Sequence, residues 1–386
     1  MGLNFRVLWA TLACLSAASL SEAHAATYTG SKACQTCHAA VYAKWSKTRM
    51  ANVVRDPKIQ PSVVVGDFSK PNPLVTFQIS DIALVYGDKW KQRYFYKKGD
   101  DYFVYPVQWD IQNKTWRAYH PAKGTDWWTA HYPEDQAQRP TGPLCDGCHS
   151  VNYNATTHEV TEWNVGCEKC HGPGSDHVAK PTKTNVVNPA KLDLVRGNDV
   201  CLQCHTQGQP VKNPVGGTGV AQYYDWPVGY TAGDRLADYW KLEEHKLGET
   251  TFTHFPDGTG HKNRMQGNDF VQSQMYLHNI RCNSCHDVHG TANNADLKKP
   301  STALCLTCHT TVKSAAHSHH AANSAGADCV GCHMPKIEQT IADVNVRAHT
   351  FKFIPQACNV CHKDKEEAWS KKTVEGWSNF SPWRVQ

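Results

Sequence analysis

Eight times the chain places Cys-x-x-Cys directly before His: Cys34-Cys37-His38, Cys145-Cys148-His149, Cys167-Cys170-His171, Cys201-Cys204-His205, Cys282-Cys285-His286, Cys305-Cys308-His309, Cys329-Cys332-His333 and Cys358-Cys361-His362. All but one of the 17 cysteines are used by this pattern. Two thiols on one turn can each add to a vinyl group of the same porphyrin, and the next residue then aims an imidazole at the iron. The spacing therefore reads as c-type haem attachment. One such pair alone would suit zinc, and a disulfide framework or a thioredoxin-like site also uses paired cysteines. Those readings leave eight adjacent histidines unexplained. The expectation is eight haem c groups, each iron held on one side by the motif histidine.

Residues 1–26 agree with attachment outside the cytoplasm. Arg6 precedes an apolar run from Val7 to about Leu20, and Ala23-His24-Ala25 has the form of a cleavage site, placing the cut after Ala25 or Ala26. The unpaired Cys14 falls in the removed segment. A lipid anchor on Cys14 is the rival, but Thr11-Leu12-Ala13 fits it poorly. No later run reaches the ~18 apolar residues of a membrane span. The expected location is periplasmic or extracellular.

Leu, Ile, Val and Phe number 69 of 386 residues, below the roughly 20 per cent at which a strongly charged chain would be disordered. Here the formal net charge is only +5. Eight porphyrins would supply the missing apolar core, so folding should depend on the cofactor. They would also add about sixteen propionates, and Lys and Arg form no stripe of the kind that follows phosphates. A nucleic-acid partner is not expected.

Motif spacing divides the chain into a leader (1–26), a first motif with a β-rich insertion (27–140), a three-motif segment (141–210), a motif-free connector (211–281) and a four-motif segment with a terminal helix (282–386). Within the insertion, Leu74–Tyr86, Arg93–Tyr96, Tyr102–Trp109 and Trp116–His120 read as strands, with Lys98-Gly99-Asp100-Asp101 as a turn. The expected class is mainly α and irregular around a haem core, with a small antiparallel β element near 70–121 whose aromatics are core. The connector opens with a loop, Asn213–Gly219, and Asp234–Leu247 and Asn268–His278 have helical spacing. Asp364–Trp377 reads as a surface helix.

Each iron needs a second axial ligand. Of 22 histidines, the motifs use eight and the leader holds His24. That leaves His120, His131, His158, His177, His245, His254, His261, His278, His289, His317, His319, His320 and His349. Methionine, the other common ligand, raises the potential, but only Met50, Met265, Met275 and Met334 remain after the leader. Mostly bis-histidine haems are expected. His289 follows His286 by three residues, a reach of about 10 Å at most, so it would have to serve a neighbouring haem. His177, six residues after His171, is placed the same way.

The stretches Cys167–Pro173 with His177, Cys282–Gly290 and Cys329–Pro335 with His320 resemble the multihaem cytochromes c with doubled CxxCH motifs. These include the tetrahaem cytochrome of ammonia oxidisers and, more remotely, multihaem nitrite reductase and hydroxylamine oxidoreductase. The resemblance implies that His177, His289, His320 and His349 are distal ligands. His245, His254, His261 and His317 complete the candidates. Where relatives carry a ligand after the first motif, Trp45–Met50 has no histidine, which leaves Met50 or a remote residue for that haem, or an open position.

The function this implies is electron transfer along a chain of haems, with redox proteins as donors and acceptors: quinol-oxidising, periplasmic or outer-surface cytochromes. The alternative is an oxidoreductase of the nitrite, hydroxylamine or tetrathionate type with one open haem. Asp234, Arg235, His254, His261, Lys262 and Arg264 could then line a pocket. No motif has the Cys-x-x-Cys-Lys form that marks the catalytic haem of many nitrite reductases. A conductive filament subunit is a third reading, with Trp369, Trp377 and Trp383 as contacts, so an oligomer stays open.

Overall fold

A computed structural model describes residues 25–119, 139–212, 224–249, 251, 253–293, 295–338, 345–354 and 356–378. His120, His131, Trp383 and the loop 213–219 lie outside this set.

Regular structure is concentrated in one antiparallel meander: β1 (Val54–Arg55), β2 (Leu84–Tyr86), β3 (Lys91–Lys98), β4 (Asp101–Asp110) and β5 (Thr115–Ala118), hydrogen-bonded in that order. β3 and β4 are joined by Gly99-Asp100, with Lys98 opposite Asp101. Gly99 has φ +62°, the left-handed value a two-residue hairpin with glycine first requires. Alternation along the strands divides the side chains between two faces. Val85, Tyr94, Val107, Trp109 and Trp116 pack with Val63, Phe77 and Ile82 on one face. Val54, Leu84, Tyr86, Phe95 and Val104 form the other, which meets Cys145 and Trp163. The aromatics are core, as expected: Tyr94 is fully buried, and Phe68 packs edge-on against both Tyr94 and Trp116.

Leu74–Ile82, expected as strand, is a loop ending in a single 3-10 turn, Ile79–Asp81. Pro71 and Pro73 flank a turn in which Asn72 accepts from the Leu74 amide, and prolines cannot donate to a ladder. β1 is only two residues long and carries no periodicity in the sequence.

Asp110 ties the ends of the sheet. Its carboxylate, buried to 1% exposure, accepts from Lys91 at 2.5 Å and from Asn113, and forms an ion pair with the Arg117 guanidinium at 2.8 Å. Burial alone would raise its pKa, but hydrogen bonds from Asn113 and Lys91 outweigh it and hold the carboxyl well below the usual range. A depressed folded-state pKa stabilises above the unfolded pKa near 4 and is lost as pH falls through the folded value. Asp110→Asn should cost about 3 kcal/mol in denaturant unfolding at pH 7, with the deficit shrinking in acid.

Outside the sheet the helices are short and built around the motifs. Three two-stranded ribbons pin the intervening loops: Ser150–Val151 with Glu162–Trp163, Gly208–Pro210 with Trp240–Leu242, and Lys336–Glu338 with Asn345–Arg347. The helix expected over 234–247 is instead a 3-10 turn, Leu236–Asp238, followed by the strand Trp240–Leu242. Tertiary partners decide this. Asp199 accepts from the Leu236 amide, and the buried Trp240 indole donates to Thr206. Asn268–His278 is helical as two pieces, Gln266–Val271 and Gln274–Leu277, with Ser273 capping the second. The tail helix spans Glu367–Glu375 and buries Ser370 and Val374.

Candidate haem-binding sites

Each motif folds as a helical turn. The histidine amide bonds back to the carbonyl of the first cysteine at 2.9 Å in motif 1, 3.0 Å in motifs 5 and 6 and 2.8 Å in motif 8. Cys167–His171 and Cys329–His333 are complete turns, and motif 4 ends the helix Leu194–His205. A turn of this kind puts residues i and i+3 on one side, so both thiols can reach one porphyrin edge. No described cysteine is in a disulfide. Among the described residues, no three His, Cys, Asp or Glu gather as a metal cluster.

The thiols and histidines of motifs 1–7 line one continuous cavity of about 3470 Å³. Four ring pairs face each other across it or at its end: His38 and His177 at 6.3 Å between centroids, His171 and His289 at 6.2 Å, His333 and His317 at 6.1 Å, His362 and His320 at 6.2 Å. A metal–imidazole bond of about 2 Å, with about 1 Å more to the ring centre, separates two trans ligands by about 6 Å. The spacing is that of an iron held between imidazoles.

Their orientation fits the same role. Nδ1 is engaged at His171 by the Val187 carbonyl (2.7 Å), at His177 by Asn185 (3.0 Å), at His286 by Ala295 (2.8 Å), at His320 by Ser318 (2.6 Å) and at His349 by Arg347 (3.0 Å). Such bonds fix the tautomer and leave Nε2 for a metal. His349 is also anchored through its backbone amide to the buried Asp269, at 2.9 Å. Burial is the main cause that drives its pKa down to about 4.

Motif 1 is carried onto motif 3 by a residue that sequence reasoning passed over. Glu168, an interior position of motif 3 and 3% exposed, accepts from the amides of Thr29, Gly30 and Gly174. The expectation for motif 1 is Met50 or a remote residue; the ring that faces His38 is that of His177.

Three candidates are not brought to a motif. His245, His254 and His261 lie off the cavity lining. The His245 and His254 rings are 4.9 Å apart, too close for an iron between them on opposite sides, and the His261 ring lies tilted against Phe255 at 4.3 Å. Their segment folds back on itself through the His254–Gly260 bridge. Of the charged residues considered for a pocket, Lys262 and Arg264 do line the cavity, whereas Asp234 instead accepts from the Tyr239 hydroxyl. His278, unselected among the spare histidines, also lines it. Around His149 the cations Arg264, Arg93 and Lys169 add to burial in lowering its pKa to about 4.

An apolar cavity walled by haem-attachment turns and facing imidazoles defines a class: the chain is a multihaem c-type cytochrome that binds haem c. Residues 277–314 match the family described as doubled CXXCH motif, and residues 109–172 match cytochrome c554 and c-prime. The multihaem cytochrome MtrA of Shewanella baltica is 25% identical over 203 residues, which are 52% of this chain and 42% of that one. The chain thus matches under half the length of that relative. The fold is shared with outer cell wall cytochrome OcwA, with TM-score 0.73 and 22% identity over 91% of this chain and 87% of that one. An undecahaem cytochrome from the S-layer of Carboxydothermus ferrireducens aligns at TM-score 0.51 and 19% identity, over 91% of this chain and 60% of that one. Among the described residues no helix is long and apolar enough to cross a membrane.

Proposed function

We propose that all eight motifs carry haem c and that the chain is an exported, periplasmic or extracellular octahaem electron carrier. Its haems are mostly bis-histidine, and it passes electrons between redox proteins. The observation that carries this reading is the set of four imidazole pairs at 6.1–6.3 Å. Haem iron supplies a one-electron couple between ferrous and ferric states, with no bond made or broken. The chain's own part is to anchor through sixteen thiols, to hold Nε2 at the metal by fixing Nδ1, and to exclude water with an apolar lining. His177, His289, His317 and His320 are the distal ligands of motifs 1, 3, 7 and 8, and His349 serves motif 4 or 5.

The cationic surroundings of His149 favour a second reading, in which motif 2 leaves an axial position open to a small anion. Intact-mass and pyridine haemochrome analysis of the purified holoprotein is expected to give eight haems per chain. Carbon monoxide should bind none of them. Fewer than eight haems overturns the octahaem reading, and carbon monoxide binding confined to motif 2 replaces the carrier by the second reading.

A further inference from the structure

The connector between the strand Trp240–Leu242 and the helix Gln266–Val271 carries two histidines that face no haem motif. It folds back on itself there. The Gly248 amide donates to the Pro256 carbonyl at 2.8 Å, the Thr251 amide to the His254 carbonyl at 3.0 Å, and the Phe255 amide to the Thr259 carbonyl at 2.9 Å. Gly258 turns the chain with φ +86°. These bonds set His245, where the excursion begins, against His254 on its returning side.

The two rings are held differently. His254 is 2% exposed, and its Nδ1 meets the Thr253 hydroxyl at 2.9 Å. With Nδ1 engaged, Nε2 is the nitrogen left to coordinate. Both ring nitrogens of His245 are buried and have no hydrogen-bond partner. Native structures leave few buried polar atoms unsatisfied, and an ion is one of the groups that satisfies them. Plain ring stacking would not.

The separation of the rings fits an ion of another kind than haem iron. Trans imidazoles stand about 6 Å apart, whereas two on adjacent positions of one tetrahedral ion, each ring centre about 3 Å from the metal, stand about 5 Å apart. The His245 and His254 centroids are 4.9 Å apart, with planes 33° from parallel. Asp257, whose charge reaches His254, is committed to the amide and hydroxyl of Thr259. Among the described residues no third protein ligand gathers with the pair, so water fills the remaining positions.

We propose that His245 and His254 bind one divalent transition-metal ion, separate from haem iron, as a clasp that holds the connector closed. Imidazole suits zinc, copper and nickel, while calcium and magnesium prefer oxygen. The inference goes beyond the electron-carrier reading and does not depend on how many motifs are loaded.

Zinc is the probe, because it has no redox chemistry to confuse with that of haem. Holoprotein stripped with a chelator and dialysed against zinc is expected to take up one ion per chain by elemental analysis. Zinc X-ray absorption should show two imidazoles at about 2.0–2.1 Å. Thr253→Ala, which keeps both ligands, should weaken binding about 10- to 100-fold. His245→Gln and His254→Gln should each abolish it and leave every haem low-spin. Unchanged uptake in both histidine variants, or zinc with fewer than two imidazoles, overturns the site. A haem turned high-spin in either variant means that the pair serves haem iron, and overturns it too. Should those variants fail to mature, hydrogen exchange of the wild-type holoprotein decides. Zinc should raise protection in 245–249 and 253–261, and no gain there refutes the clasp. A haem count below eight strikes at the octahaem reading and leaves this one standing.

Discussion

Made without haem attachment, the chain should lose the fold of residues 139–378 and keep at most the five-stranded sheet. A cavity of about 3470 Å³, at about 24 cal/mol per Å³ for empty apolar space, corresponds to roughly 80 kcal/mol. Water entering the cavity would remove much of that. Even a tenth of it, however, matches the ~5–15 kcal/mol that holds an ordinary domain together. The helices around the motifs are of three to twelve residues, too short to persist in isolation. The sheet is different, because Val63, Phe77, Ile82, Val85, Tyr94, Val107, Trp109 and Trp116 form a core with no cofactor in it. Hydrogen exchange on apo-protein is expected to leave protection in 84–118 and abolish it in 167–205 and 282–333. Native-like near-ultraviolet dichroism with protection in the motif segments would refute the expectation.

The second large effect is expected at the distal histidines. His177→Ala and His289→Ala should each convert one haem per chain from low-spin to high-spin and open it to carbon monoxide, as read by electron paramagnetic resonance and the Soret band. The reason is geometric. Each ring stands at ligand distance from a motif histidine, and the Nδ1 atom of His177 is already committed to Asn185. His245→Ala and His254→Ala are the informative controls. Those rings lean on each other away from the cavity, so their loss should leave every haem low-spin. A spin change in the controls, or none at His177, contradicts the ligand set.

What could be read in the chain follows from how local its cause is. A Cys-x-x-Cys-His turn is complete in five residues, and the hairpin at Gly99-Asp100 needs two, so both were legible. The exposed helix Glu367–Glu375 likewise carries its own signal. Trp240 was misread because what decides its conformation is Thr206, on the far side of a ribbon. The spare histidines posed the same difficulty. His317 and His320 sit in one segment yet face different motifs, and His254 and His261 differ from them in nothing that spacing records. Glu168 is the clearest case. It is an interior residue of a motif, yet it binds the amides of Thr29 and Gly30, and no periodicity encodes that.

The exchange of histidines between motifs also bears on how faithfully the molecule is made. His177 stands six residues beyond motif 3 but faces motif 1, and His289 stands three beyond motif 5 but faces motif 3. A lapse in loading motif 3 would therefore leave two faults: a vacant cradle, and a misplaced sixth ligand for the haem of motif 1. Errors multiply instead of hiding. With the proposed ligands, a partly loaded molecule should therefore be cleaved by proteases more readily than one loaded throughout.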